Sequence, residues 1–523
     1  MPMCRFSDRF RPLVRAVMAC AVAALASVPL AEAQTWTGGG ADSLWSTSGN
    51  WSTGLAGASV TSLAFTGSAS VNSSTNDLVT TVSTAISFTN AVGGTGAAVT
   101  LAGSGTVTLN GATPITSVST TANVTDEIGF PLKLNGGNKT FSMGSAHNLR
   151  ITNVISEDGT ARNLIKGGQG GTLILTGENL FTGQLQVNAG NVQTDRLENV
   201  SDPSPLGAGN LAVRLGNGAN AGTLIYTGTG ETTNRYIQVG GGALNTATGG
   251  ATVTQNGSGP LVFTATSAFN SGTFNVPQTG IDPAASRLLT LNGTNTDLNT
   301  INGKIVNNVN SSTSASLVAV TKSGAGTWVL AGANDYTGGT TVSNGRLFVN
   351  GSLASTGNAV SVASNATLGG TGTIGTAVTV SGILAPGFGG IGTLTFSNGV
   401  TWNGGATAGT ATDWLYDLSA SNASDLVSIT GNFTKGTGAA FRFDLGSATS
   451  QGIYTLASWT GSTTFSASDF SYANLGGANT GTFDVVGSSL VLTIVPEPTT
   501  TLGLIVSGVA GLFAARRGRR RKI

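Results

Sequence analysis

Two segments of this chain, 155 positions apart, follow one template: "GTLILTGENLFTGQLQVNAGNVQT" (171–194) and "GTWVLAGANDYTGGTTVSNGRLFV" (326–349). In the second, Trp328 and Leu330 alternate with Thr327, Val329 and Ala331. A period of two sends alternate side chains to opposite faces of a strand. Gly332, Asn334, Gly338 and Gly339 follow, residue types that accept turn geometry cheaply. Thr340 and Val342 form the next inward pair, Asn344-Gly345 turns the chain, and Leu347 and Val349 resume. The earlier copy matches by type through Leu173, Leu175, Gly177, Asn179, Phe181, Thr182, Gly183, Val187 and Gly190. It carries one more residue between Lys166 and Thr172 than stands between Lys322 and Thr327.

Asn344-Gly345 also suits a two-residue hairpin. A lone hairpin is marginal in water, whereas stacked coils pair every strand edge but the last. Weaker alternation recurs at 97–111, 220–240, 257–265, 287–305 and 365–387. Units of about 20–25 residues built from short strands and Gly turns predict a solenoid. At about 4.8 Å per coil, roughly twenty coils make a rod on the order of 90 Å. The 78 glycines disfavour long helices, and 39% hydrophobic residues supply a core that a disordered chain lacks.

Both ends read as addresses. Arg5, Arg9, Arg11 and Arg15 precede an apolar run at 16–30, and Ala31-Glu32-Ala33 stands before Gln34. This is a signal peptide over 1–33, with signal peptidase cutting between Ala33 and Gln34. Both cysteines, Cys4 and Cys20, fall within it, so the mature body has no disulfide. At the other end, within Val495-Pro496-Glu497-Pro498, the run Pro496-Glu497-Pro498 reads as an exposed break in regular structure. An uncharged stretch at 499–515 follows, about 26 Å long as a helix and just enough to cross a bilayer core. Arg516, Arg517, Arg519, Arg520, Arg521 and Lys522 then keep the C-terminus cytoplasmic. Without these ends the body holds 14 basic and 20 acidic residues and no basic patch, which argues against nucleic acid as a partner.

The segment "KSGAGTWVLAGANDYTGGTTVSNGRLFV" resembles the autotransporter-associated β-strand repeat of bacterial surface proteins. "TWTGGGADSLWSTSGNW", with Trp36, Trp45 and Trp51, resembles the opening of such proteins, and "TLGGTGTIGTAVTVSGILAPG" their C-terminal portion. The resemblance implies an all-β, right-handed parallel β-helix and surface display. It brings no catalytic residues. The chain departs from that family by ending in a single apolar segment rather than a membrane barrel. The motif, span and arginine cluster together resemble the PEP-CTERM sorting signal of Gram-negative bacteria rich in exopolysaccharide. That resemblance implies an exosortase as partner, transient anchoring in the inner membrane, and transfer to the cell surface, outer envelope or medium. The expected layout is a signal peptide at 1–33, β-helix repeats at 34–399, a C-terminal β cap at 400–494 and the sorting signal at 495–523.

Catalysis finds little support. Asp126-Glu127 and Glu157-Asp158 are adjacent pairs whose members point to opposite faces of a strand, and Asp413, Asp417 and Asp425 are spread through an irregular segment. "NVISEDGT" (153–160) reads as a solvated turn, and His147, the single histidine, as a solvent or turn residue. No motif for a metal, nucleotide or other cofactor is present. Trp402, Trp414, Tyr416 and Trp459 are assigned to core or cap packing ahead of stacking on sugars. The expected function is that of a non-enzymatic structural or adhesive solenoid in contact with extracellular polysaccharide. A polysaccharide-degrading β-helix, lyase or glycosidase, is the alternative.

Overall fold

The computed structural model describes residues 33–497 apart from 54–58, 67–71, 91–97, 120–123, 145–146, 241–248, 267–268, 271–285, 308–316, 406–413 and 421. The signal up to residue 32, Asp413, Pro498, the apolar stretch and the arginine cluster lie outside the described residues.

The described chain is all-β apart from two short 3-10 turns, and almost every strand pairs in parallel with a strand one coil away. One 15-stranded sheet runs unbroken from Ser73–Asn76 to Phe433–Lys435. A 13-stranded sheet flanks it over the first part, and two seven-stranded sheets succeed that one along the chain. Parallel strands need a crossover, and here each crossover is the rest of a coil. Asn344-Gly345 therefore turns between sheets rather than closing a hairpin: Thr340–Val342 pairs with Val360–Val362, while Gly345–Val349 pairs with Ala366–Gly370.

Coil length varies more than the repeat units suggest. Val360 pairs with Val378, 18 residues on, whereas Val253 pairs with Leu291, 38 residues on. Inserted loops lengthen a coil without adding a rung, and their closure entropy grows slowly with length. Fifteen strands at about 4.8 Å make a sheet of about 67 Å, and parallel bridges between Leu44 and Thr75 and between Phe433 and Thr463 carry the stacking one rung further at each end.

Inward positions stack in files. Leu149, Leu173, Val192, Leu224, Val253 and Leu291 succeed one another in register, all buried. The next inward position is Lys322, followed by Val342, Val362, Val380 and Trp402. Lys166 likewise stands between Phe141 and Val187 in the neighbouring sheet. Both lysines are fully buried. The Lys166 ammonium donates to the carbonyls of Gly167, Gly168, Gly170 and, on the next coil, Ala189, at 2.7–3.2 Å. The Lys322 ammonium donates to Ser323, Gly324 and, on the next coil, Asn344, at 2.7–3.0 Å. Gly190 and Gly345, just after those next-coil carbonyls, have φ of 72° and 65°. A Cβ at Gly345 would lie 2.7 Å from the Lys322 Nζ, and one at Gly190 2.8 Å from the Lys166 Nζ. The shared asparagines act similarly. Asn179 accepts from Ile155 N–H and donates to the Pro205 carbonyl, while Asn334 accepts from Ile305 N–H and donates to the Ser352 carbonyl. The template of the two repeats is thus a set of internal polar clamps between coils.

Aromatic clusters fill both ends. Trp51 meets Trp36 and Trp45 edge-on, at 5.0 and 5.6 Å between ring centroids. Trp402 stacks on Trp414 at 3.7 Å within a cluster of phenylalanines. Antiparallel pairing enters at the C-terminal end, where Ser489–Pro496 lies between Gly452–Trp459 and Asn479–Val486. The break expected over 496–498 is corrected by one residue: Val495 and Pro496 still continue the strand opposite Thr480 and Asn479, the strand ends there, and Glu497 N–H donates to the Ala478 carbonyl. Proline is tolerated there because the strand is ending and its missing N–H breaks no ladder.

Candidate functional site

The long sheet presents one outward row through successive coils: Thr125, Asn148, Thr172, Asn191, Thr223, Thr252, Thr290, Thr321, Thr341, Ser361, Thr379, Thr401 and Thr434. All are partly or fully exposed, and none is charged. Some touch along the row, as Asn148 Nδ2 to Thr125 Oγ1 and Asn191 Nδ2 to Thr172 Oγ1, each at 3.4 Å. At one strand spacing per rung the row extends about 58 Å. It offers donors and acceptors at a fixed interval, a geometry suited to many weak contacts with an extended hydroxylated polymer.

A second feature lies near the C-terminal end. A groove of about 400 Å³ is lined by Phe348, Phe388 and Leu415 together with Asp417, Asp425 and Asp444. Phe348 is the outward residue between inward Leu347 and Val349, and in the adjacent strand it faces Gly369. A Cβ on Gly369 would come 2.8 Å from the Phe348 ring, so glycine there gives the ring its room. Phe388 meets Phe348 edge-on at 5.3 Å and is 36% exposed, and Leu415 is 37% exposed. Asp425 is buried and accepts the N–H groups of Gly392 and Asp417, each at 2.8 Å. Burial pushes its carboxyl up to about 6 against those two favourable hydrogen bonds.

Because the folded pKa of Asp425 exceeds the unfolded one, this group holds the fold best below about pH 4. The contribution is lost as pH rises through about 6. Protection of the Gly392 and Asp417 amides against hydrogen exchange is expected to fall over that interval. In Asp425→Asn that pH dependence is expected to disappear.

Of the residues weighed for catalysis, Asp417 and Asp425 meet in this groove, whereas the Asp126-Glu127 and Glu157-Asp158 pairs lie elsewhere and do not line it. Asp126 points inward and is fully buried, while its neighbour Glu127 faces outward. His147 is corrected from a solvent or turn residue. It begins the strand His147–Ile151, shares the inward parity of Leu149 and Ile151, and sets Nε2 2.6 Å from Asp126 Oδ2 with both side chains fully buried. The other Asp126 oxygen accepts Val99 N–H, so the pair ties neighbouring coils together inside the body. Glu157 and Asp158 do more than meet solvent. Glu157 accepts Arg162 N–H and the Thr182 hydroxyl, and Asp158 pairs with the Arg162 guanidinium at 2.9 Å. That guanidinium holds the Asp158 carboxyl well below the usual carboxylate range. Trp402, Trp414, Tyr416 and Trp459 are all buried, whereas Phe348 is half-buried and Phe388 is exposed. At the N-terminal end, Ala33–Thr35 pairs with Ser62–Ala64, and buried Gln34 bonds the Thr53 hydroxyl. At the other end Val495, Pro496 and Glu497 are exposed.

Two segments, 164–193 and 320–348, match the family model of the passenger-associated-transport repeat. Each contains one buried lysine with its clamp glycine. Residues 495–521 match the PEP-CTERM protein-sorting motif. A curated relative, the adhesin BmaC autotransporter of Brucella suis biovar 1 (strain 1330), is 30% identical over 207 residues, covering 38% of this chain. The matched stretch spans 5% of that relative's length. Autotransporter-type repeats and a PEP-CTERM motif in one chain indicate an exported protein of the cell surface or envelope.

Proposed function

We propose that this chain is a non-enzymatic adhesive or structural element of the envelope or extracellular matrix, a right-handed β-helix that holds polysaccharide along its polar face. The in-register Thr, Asn and Ser row carries this reading: it repeats with the coil, lacks charge, and spans about 58 Å. The adhesin relative supports the same class, although the match covers little of that protein. In this reading signal peptidase cuts before Gln34, which leaves a mature end already seated in the sheet. The stretch at 499–515 then anchors the chain in the inner membrane, with Arg516, Arg517, Arg519, Arg520, Arg521 and Lys522 on the cytoplasmic side. An exosortase acts at Val495, Pro496, Glu497 and Pro498 and removes that anchor. The surface protein is expected to lack the arginine cluster by mass spectrometry.

Adhesion is tested by retention on polysaccharide-coated beads. Replacing Thr223, Thr252, Thr290 and Thr321 together by Lys is expected to abolish retention on neutral polymer while leaving the circular dichroism spectrum β-rich. Unchanged retention in that variant would remove the polar row from the account. Polysaccharide cleavage is the second reading, favoured by the raised Asp425 carboxyl beside Asp417 in a groove. Against it, both Asp425 oxygens are occupied by backbone N–H groups. Release of new reducing or unsaturated ends that stops in Asp425→Asn would establish that reading instead.

A further inference from the structure

We propose that the groove between Phe348, Phe388 and Leu415 is a discrete binding site for a neutral polysaccharide chain, selective against acidic polymers. The inference rests on the adhesive reading and deepens it by naming a site and a ligand class.

An aromatic side chain on the outward parity of a strand normally costs solubility, and single exposed apolar residues need no explanation. Here the features occur together. Phe348 lies in the space left by Gly369, and Phe388 packs edge-on against it at 5.3 Å while keeping over a third of its own surface exposed. Leu415 extends the apolar wall. The apolar C–H face of a pyranose ring fits such a wall, because it excludes the water that both surfaces order poorly. A groove of about 400 Å³ is within the range of small-ligand sites, enough for a short run of sugar rings.

Charge decides which sugars. Asp417 and Asp444 line the groove beside the aromatic wall, and among the described residues that line it none is a lysine or arginine. Asp417 is exposed, and its carboxylate makes no hydrogen bond within the described residues, so it is available to accept from a sugar hydroxyl. Asp425 does not serve that role, because both its oxygens are held by backbone N–H groups and it shapes the rim. Uronate or sulfate polymers would bring like charge beside the Asp417 and Asp444 carboxylates, which disfavours them. A neutral chain meets hydroxyl acceptors and a stacking surface without that repulsion.

Affinity electrophoresis of the full chain tests this, in native gels containing either hydroxyethyl cellulose, a neutral glucan derivative, or alginate, a polyuronate. The neutral polymer is expected to retard the protein and alginate is not. Phe388→Ala should weaken the interaction about tenfold, equivalent to about 1.4 kcal/mol. Asp417→Asn should weaken it severalfold, and Phe388→Trp should restore or strengthen it. Both positions are exposed, so the variants keep the fold, which the circular dichroism spectrum checks. If both groove variants bind like the parent while the lysine-substituted polar row does not, the groove proposal fails and adhesion stands. Absence of retardation of the parent in both gels overturns the groove and the adhesive reading together. Stronger retardation in alginate overturns the selectivity and with it the site.

Discussion

Replacing Lys322 by Ala is expected to lower stability by about 3–5 kcal/mol, more than removal of any surface charge would. The side chain occupies an inward position between Leu291 and Val342, so truncation opens a cavity. It also removes the donor to three part-buried carbonyls, one of them on the following coil. Lys322→Met keeps most of the volume and removes the same donor, so about 1–3 kcal/mol of the loss should persist. Lys166 sits in the equivalent cage and should respond alike. Burial pushes both ammonium groups down to about 8 from 10.5. Between those values the unfolded chain binds more protons than the folded one, so these groups make stability rise with pH above 8. Buried Tyr336 and Tyr416, whose pKa values burial raises, oppose that trend once free tyrosine ionises near 10. The clean window is therefore about pH 8 to 10. In denaturant titrations the rise should be reduced in Lys322→Met and smaller still in the double Lys166→Met, Lys322→Met variant, where buried Lys139, whose pKa burial also lowers, supplies the remainder. An undiminished rise in the double variant would contradict the cage.

Ending the chain at Ser488 should cost still more, roughly 6 kcal/mol from the lost burial of Leu490, Leu492 and Ile494 alone. The strand Ser489–Pro496 is the shared partner of Gly452–Trp459 and Asn479–Val486, so its removal leaves two unpaired edges beside the aromatic cluster. Amide protection across 452–486 and the near-ultraviolet signal of Trp459 should collapse. A chain ending at Glu497 keeps every rung of that ladder and should match the longer protein in both. The contrast bears on sorting, since an enzyme that severs the tail beyond Glu497 leaves the closing strand whole. If the Ser488 form retains full protection, the antiparallel closure is not what finishes the C-terminal end.

Parity and turn chemistry made the coil legible. Trp328, Leu330, Val342, Leu347 and Val349 all face inward as the period-two reading expects. What stayed hidden sits where one residue type breaks the parity rule. Lys166 and Lys322 occupy inward positions that a hydrophobic pattern reserves for Val or Leu, and only the convergence of turn carbonyls explains them. His147 followed the same rule unnoticed: its parity with Leu149 and Ile151 was visible, but the inward Asp126 one coil earlier depends on register. Register is nonlocal, and coils of 16 to 38 residues prevent its extrapolation from the repeats. The groove was half legible. Phe348 at an outward position, between Leu347 and Val349, is an aromatic where Thr or Ser is usual in this chain, whereas its approach to Phe388 crosses two coils.

The central claim is that in-register parallel stacking continues from coil to coil along the body, which makes it a shaft rather than a vessel. Thr172 and Thr401 lie nine strand spacings apart in one sheet row. Spin labels on Thr172→Cys and Thr401→Cys, with Cys4 and Cys20 replaced by Ser, measure that separation by pulsed electron resonance. A narrow distribution near about 43 Å between backbone positions, broadened by the label linkers, is the expected result. A separation below about 30 Å, or a broad distribution without a maximum, would mean that the coils do not stack in this register.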